Sequence, residues 1–255
     1  MSLQKATAAI TISIDATIAT IEFGHPASNS FPSLLLKELT STFETVGQNP
    51  EVAVVVLKSQ GTAAFCAGAS FDELLAVANE AEGKTFFSGF AHLINVMRKC
   101  PKLIIGRIQG KAIGGGVGIV AACDYVLASQ EASIKLSELA IGIGPFVIEP
   151  AVSRKIGKTA LAELSLAAQE WKSATWAKEK GLYANTFESI EKLDEAVAEL
   201  AFQITTYNSE ALAELKKVLW EGTEHWDTLL IERAAITGKL VLSEATKTAL
   251  AAFKK

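Results

Sequence analysis

Three stretches of the chain combine residue types that can do chemistry. The first is Gly110-Lys111-Ala112-Ile113-Gly114-Gly115-Gly116-Val117-Gly118, which follows an apolar run and opens a small-residue helix. Glycines let the backbone approach a ligand closely, and a helix N-terminus offers free N–H groups at its positive dipole end. Such a place suits negative charge, fixed or developing. The second stretch is Gly61-Thr62-Ala63-Ala64-Phe65-Cys66-Ala67-Gly68-Ala69-Ser70, which also lies between an apolar run and a helical pattern. Two strand-to-helix loops of this kind can meet at one edge of a parallel sheet. Each can then give one backbone N–H to the same carbonyl oxygen, an arrangement known as an oxyanion hole. The third is Glu138, set in an otherwise apolar stretch before Gly142 and Gly144-Pro145. A carboxyl in apolar surroundings ionises reluctantly, which poises it for acid/base work near neutral pH. Each stretch also has a plainer reading: a glycine-rich helix packed tightly on a sheet, a tight turn, and a capping or solvent-facing glutamate.

Other chemistries have less support. Gly116-Val117-Gly118-Ile119-Val120-Ala121 matches the dinucleotide pattern, but the preceding strand ends near Ile108, too far upstream of the first glycine. No Lys-Ser/Thr follows the glycines, as a P-loop requires. Cys66, Cys100 and Cys123 are scattered, as are His25, His92 and His225, so neither a disulfide framework nor a metal site is expected. The chemistry expected needs no cofactor. The 24 basic and 28 acidic residues leave a net charge of −4 with no basic block, which argues against a nucleic-acid partner. The longest uncharged stretch, between Lys111 and Asp124, is too short to span a bilayer. The alternating start at Ala9 reads as a strand and not as an export signal, so the expected compartment is the cytoplasm.

The elements that must position these residues follow from periodicity. Thr11 to Ile14 and Thr17 to Phe23 alternate about Asp15-Ala16, the pattern of a hairpin. Phe31 to Thr45, Phe71 to Ala78, Thr85 to Lys99 and Gly114 to Cys123 have helical spacing or composition. Val52 to Leu57 is a continuous apolar run of strand length, as in a strand buried on both faces, and Leu103 to Ile108 and Asp124 to Ala128 read as two further buried strands. This alternation predicts an α/β fold with parallel strands. A helix over Ser173 to Lys180, stopped by Gly181, and an extended piece within Leu182 to Phe187 follow. After them come amphipathic helices over Leu193 to Thr205, over Glu210 to Leu219, and two more ending at Lys255. A core over 1–190 and a helical region over 191–255 are expected, the latter packed on the core or on a neighbouring subunit.

At this point the chain resembles the crotonase, or enoyl-CoA hydratase/isomerase, superfamily. The resemblance rests on Phe65 through Leu74, on Gly110 through Gly118 with Ala121 to Asp124, and on Leu136-Ser137-Glu138 through Pro145. Gly157-Lys158-Thr159-Ala160 and Ala177 to Leu182 also fit. It covers roughly Ile10 to Phe253 in the expected order. It implies a spiral core of β-β-α turns, a C-terminal helical trimerisation region, and a homotrimer or dimer of trimers. It implies an acyl-CoA thioester whose oxygen is held by the Ala69 and Gly115 amides, with Glu138 as the general acid/base. Ala67, Gly68, Ser70, Gly114, Gly118 and Pro145 would line the substrate. His92 and Glu149 are more distant candidates, as is Phe253, after which Lys254 or Lys255 could meet the CoA phosphates.

One departure bears on mechanism. Hydratases of the superfamily carry a second glutamate at the position of Gly118. The stretch Val117 to Asp124 and the one from Gly144 to Val152 look most like the methylglutaconyl-CoA hydratase branch, where glycine stands there too. The resemblance therefore implies a 2-enoyl-CoA hydratase. A 3-enoyl-CoA to 2-enoyl-CoA isomerase using Glu138 alone and a non-catalytic acyl-CoA-binding protein stay open. Lys135 and Arg154 are the cations that could meet a distal acyl carboxylate, and a Gly118→Glu variant is expected to fold. Trp171, Trp176 and Tyr183 are read as core or interface residues.

Overall fold

The structure, a computed structural model, describes residues 8–253; the Phe253 side chain, Lys254 and Lys255 lie outside what is described, and so do the expectations placed on them. Along the chain come β1 (Ala9–Asp15), β2 (Ile18–Gly24), α1 (Ser33–Gln48), β3 (Val54–Ser59), β4 (Ala64–Cys66), α2 (Phe71–Ala76) and α3 (Glu80–Lys99). They are followed by β5 (Leu103–Ile108), β6 (Lys111–Ile113), α4 (Gly115–Ala122), β7 (Tyr125–Ser129) and β8 (Ile134–Lys135). After a 3-10 turn at Leu139–Ile141 come α5 (Glu149–Leu166), α6 (Ala174–Glu179), β9 (Asn185–Phe187), α7 (Ile190–Thr205), α8 (Ser209–Leu219), α9 (Trp226–Leu240) and α10 (Glu244–Phe253).

Two sheets result. A six-stranded sheet has the order β1-β2-β3-β5-β7-β9, and a three-stranded sheet has the order β4-β6-β8. Among the named strands of the described residues only the β1–β2 hairpin is antiparallel, and the other strand pairs are parallel; an isolated antiparallel bridge joins Ile134 to Lys172. Each successive turn of the chain gives one strand to the large sheet and the next to the small one: β3 then β4, β5 then β6, β7 then β8. This is the α/β spiral of β-β-α turns. The small sheet lies inside stretches that read as loops in the sequence, because strands of two or three residues carry no period to detect.

The central strands β3, β5 and β7 of the large sheet are buried on both faces, whereas the edge strand β1 is mostly exposed and β9 is half-buried. Val55 and Leu57 of β3 join the main core with Phe23, Leu39 and Leu93. Val54 and Val56 point the other way, into a second core with Ile105 and Leu127 that is covered by Leu193, Val197, Ala201 and Ile204 of α7. Burying each such side chain contributes roughly 1.5–3 kcal/mol. Strand β3 starts at Val54, two residues later than its apolar run, since Val52 turns in under the hairpin.

Local chemistry sets the helix ends. Asn79 caps α3, its Oδ1 accepting from Glu82 N at 3.0 Å, and Arg98 and Lys99 lie at the negative dipole end. Helix α5 has no counterpart in the sequence reading; it is kinked at Gly157, whose φ of 74° breaks its periodicity. Asp124 ties α8 to the core. Its buried carboxylate accepts from Ile104 N, Lys216 Nζ and Trp220 Nε1, each at 2.7 Å. Removing one partner of such a buried pair strands the other charge, at a cost of about 3–5 kcal/mol. Among the described residues no helix is long and apolar enough to cross a membrane, and no group of three or more His, Cys, Asp or Glu could hold a metal ion.

Candidate active site

Strands β4, β6 and β8 run parallel, so their C-terminal ends share one edge. Three loops leave that edge together: Ala67–Ala69 after β4, Gly114–Gly115 after β6, and Ser137–Glu138 after β8. The edge of a parallel sheet at its strands' carboxyl ends is where α/β folds place ligands. A cavity of about 260 Å³ opens there, lined by all three loops. Of the expected site residues it brings together Ala67, Gly68, Ala69, Gly114, Gly115, Glu138 and Pro145.

The two glycine loops touch. Gly68 has a φ of 85°, and a Cβ there would lie 3.1 Å from the Ile113 carbonyl oxygen and 3.8 Å from Gly115 N. Gly114 has a φ of 53°, and its N–H donates to the Lys135 carbonyl at 2.9 Å, locking the loop to β8. Only glycine takes such conformations without strain. Ala69 pairs with Phe31 through its neighbours: Phe31 N donates to Gly68 O and Ser70 N to Phe31 O, at 2.8 and 2.9 Å. That pairing leaves the Ala69 N–H on the other side. Among the described residues neither it nor the Gly115 N–H, at the head of α4, has an acceptor.

Glu138 stands at the start of the 3-10 turn, with Oε1 only 2.9 Å from where a Cβ on Gly114 would be. The residue is half-buried; its Oε2 is sealed from solvent and has no hydrogen-bond partner among the described residues. Burial pushes the carboxyl up to about 7, against a lowering by its own backbone N–H. Among the described residues Glu138 is the only ionisable side chain lining the cavity; the other polar side chains there are Ser137 and Thr237. The remaining side chains are apolar, with Leu74, Phe87, Phe90 and Ile148 among them. No cysteine among the described residues lines the cavity, and burial pushes the nearby Cys66 thiol up to about 12, away from the thiolate form.

The site thus combines two open N–H donors, an N-terminal helix dipole and one acid/base group in an apolar cavity. The enoyl-CoA hydratase/isomerase family profile matches residues 13–253. The chain belongs to the enoyl-CoA hydratase/isomerase family. It is 29% identical over 92% of its length to the short-chain-enoyl-CoA hydratase of Clostridium acetobutylicum, covering 90% of that protein. It is also 29% identical over 73% of its length to the peroxisomal Delta(3,5)-Delta(2,4)-dienoyl-CoA isomerase of Arabidopsis thaliana, covering 71% of it. The crystal structure of enoyl-CoA hydratase from Bacillus halodurans superposes with a TM-score of 0.89 at 21% identity, over 95% of this chain and 99% of that one, a likeness of fold.

Several expected site residues of this family member lie elsewhere. Ser70 caps α2, its Oγ accepting from Glu73 N at 3.4 Å, and does not line the cavity. His92 is exposed on α3, one position past the buried Ala91. Glu149 opens α5 and is held by Lys158 and, at 3.8 Å, by Arg233. Lys135 lies over the Trp171 ring at 5.0 Å, and Arg154 stacks on Trp220 at 3.8 Å while donating to the Leu219 carbonyl. Neither cation reaches the cavity. Tyr183 is a core residue, its hydroxyl donating to the Ala132 carbonyl at 2.9 Å.

Gly118 is also no lining residue: it is buried beneath Ile148, whose Cβ would lie 2.7 Å from a Cβ added there. A glutamate at 118 would have to displace Ile148, so the expectation that such a variant folds carries a stability cost. Gly118→Ala should cost about 1–3 kcal/mol of stability, and Gly118→Glu more, because it also buries a charge. Thermal melting checks this; an unchanged midpoint in Gly118→Glu would mean that Ile148 yields.

Sequence reasoning also missed Thr237, which reaches the cavity because α9 crosses α3 with backbones in contact. A Cβ on Gly83 would lie 2.6 Å from the Gly238 carbonyl oxygen. Mid-helix glycines at 83 and 238 were the available signal.

Proposed function

We propose that this chain is an enoyl-CoA hydratase that works with one carboxyl group. The observation that carries the reading is the placement of Glu138, its Oε2 sealed from solvent and without a hydrogen-bond partner among the described residues, beside the loops that present the Ala69 and Gly115 amides. Leaving a buried carboxyl oxygen without a partner costs stability, which argues for a use in turnover over a purely structural or binding role.

In this reading the thioester oxygen accepts from the two amides, and the acyl chain lies against Leu74, Phe87, Phe90 and Ile148. Glu138, ionised, takes a proton from water as the oxygen of that water bonds to C3. The C2–C3 π electrons move toward the thioester, and the enolate charge is met by the amides and the α4 dipole. Glu138 then returns the proton to C2, so that one molecule of water is added and the carboxylate is regenerated. No cation among the described residues lines the cavity, so an uncharged acyl group fits better than one with a distal carboxylate.

A second reading is favoured by a specific observation, the burial of Gly118 under Ile148, which leaves no room for a second acid. Moving a double bond from C3–C4 to C2–C3 needs only one group, which takes a proton at C2 and returns it at C4. Incubation with crotonyl-CoA, with a 3-enoyl-CoA and with methylglutaconyl-CoA, followed by product mass, separates the two. Hydration adds 18 Da and isomerisation adds none. The expected result is hydration of crotonyl-CoA; isomerisation without any hydrated product would replace this reading by the second.

A further inference from the structure

We infer that Thr246, on the C-terminal helix α10, is a positioning residue for Glu138: its hydroxyl clamps the turn on which the acid is mounted. The inference rests on the acid/base role proposed for Glu138. Thr246 is completely buried. Its Oγ1 lies 2.9 Å from the Gly142 carbonyl oxygen, 2.9 Å from that of Leu240, and 3.0 Å from Ser243 Oγ. Gly142 ends the acid's turn. Its N–H donates to Leu139 O at 3.1 Å, and its φ is 85°. The Glu138 carbonyl accepts from Ile141 N and Ile143 N at 3.2 and 3.0 Å. Glu138 through Ile143 therefore form one closed unit, and among the described residues the hydrogen bond reaching it from another element is the one from Thr246.

The contact has no slack. A Cβ on Gly142 would lie 2.5 Å from Thr246 Oγ1 and 2.9 Å from Thr246 Cα. The same unit carries Ile141 and Ile143, apolar residues that line the cavity with the carboxyl. Misplacing a reacting group by about 1 Å can cost about 10²-fold in rate. Releasing the turn would both move the carboxyl and hydrate it. The other charged groups near the clamp are satisfied elsewhere: Glu244 pairs with Lys247 at 2.9 Å, and Glu149 with Lys158 and Arg233.

The test compares Thr246→Val, Thr246→Ser and Gly142→Ala in the full chain with crotonyl-CoA, or with the 3-enoyl-CoA if that is the one turned over. Thr246→Val should lower kcat about tenfold or more and leave KM within about twofold. It should also move the acid limb of the pH–rate profile down by about half a pH unit or more, as water reaches the carboxyl. Thr246→Ser, which keeps the hydroxyl, should restore both. If Thr246→Val does not fold, Gly142→Ala crowds the same contact from the other side and should give the same split between kcat and KM. A parental kcat and acid limb in the folded variant overturns the clamp. Glu138→Gln, run alongside, separates the two ideas: if it is inactive while Thr246→Val is normal, only the clamp fails, and if it is active, the role of Glu138 itself fails.

Discussion

Glu138→Gln is expected to lower turnover by about 10²–10⁴ while CoA-thioester binding stays nearly unchanged. The amide has the shape of the carboxyl but can neither take a proton from water nor hold one for C2. The pH dependence gives a second, independent signature. With its carboxyl near 7, the parent should lose activity as pH falls through about 7, because the ionised form is the one that attacks water. Stability should run the other way. Between the ordinary carboxyl value of 4.5 and about 7 the folded chain keeps a proton that the unfolded chain has released. Folding is therefore favoured at low pH, and stability falls as pH rises through that window, by on the order of 3 kcal/mol. Glu138→Gln does not titrate, so it should melt above the parent at pH 8 and lose most of that advantage near pH 4.5. Hydration within twofold of the parent would remove Glu138 from the mechanism, and equal melting of both proteins at pH 8 would show that burial does not raise its carboxyl.

Gly115→Ala is expected to lower kcat by about 10²–10³, which corresponds to about 2.7–4 kcal/mol of barrier. The added methyl would lie 2.9 Å from Phe90 Cδ1 and closer still to Cε1 and Cζ. Phe90 is buried, in edge-to-face contact with Phe31 at 6.2 Å between ring centres, and lines the cavity. Either the ring turns into the cavity, where the acyl chain would lie, or the backbone at 115 moves and carries its N–H with it. Shortening the obstacle separates packing from electrostatics. The double variant Gly115→Ala/Phe90→Leu should regain activity to the extent that the amide returns to its place. A Gly115→Ala enzyme with parental kcat would show that this amide does not hold the thioester oxygen.

Much of this was legible along the chain. The buried strands stood out because Val54 to Leu57 is apolar on both faces and Leu103 to Ile108 and Tyr125 to Ala128 are nearly so, broken only by Arg107 and the exposed Tyr125, and the second face is closed by α7. The glycines at 68, 114 and 115 marked the loops, since Gly68 and Gly114 take positive φ and Gly115 lies against Phe90. Glu138 stood out as a carboxyl among apolar neighbours.

Other assignments failed for identifiable reasons. Position 118 falls at the expected spacing after the glycine triplet, but spacing along one helix says nothing of what another element lays over it, and here that is Ile148. His92 shares a helix with Phe87 and Phe90, and the rotation of α3 against α9 turns it outward. Lys135 and Arg154 sit near the acid loop in sequence, yet each is drawn to an aromatic ring instead.

By itself, then, the sequence determined the local conformations: which segments form buried strands, where glycine is required, and which carboxyl lies among apolar neighbours. Tertiary structure alone decided convergence. Three parallel strands of two or three residues, too short to carry a period, bring residues 69, 115 and 138 to one edge, and the crossing at Gly83 and Gly238 brings Thr237 to the same cavity. The physical reason is that periodicity reports the environment of a residue along its own element, whereas a site is made by the distance between elements far apart in the chain.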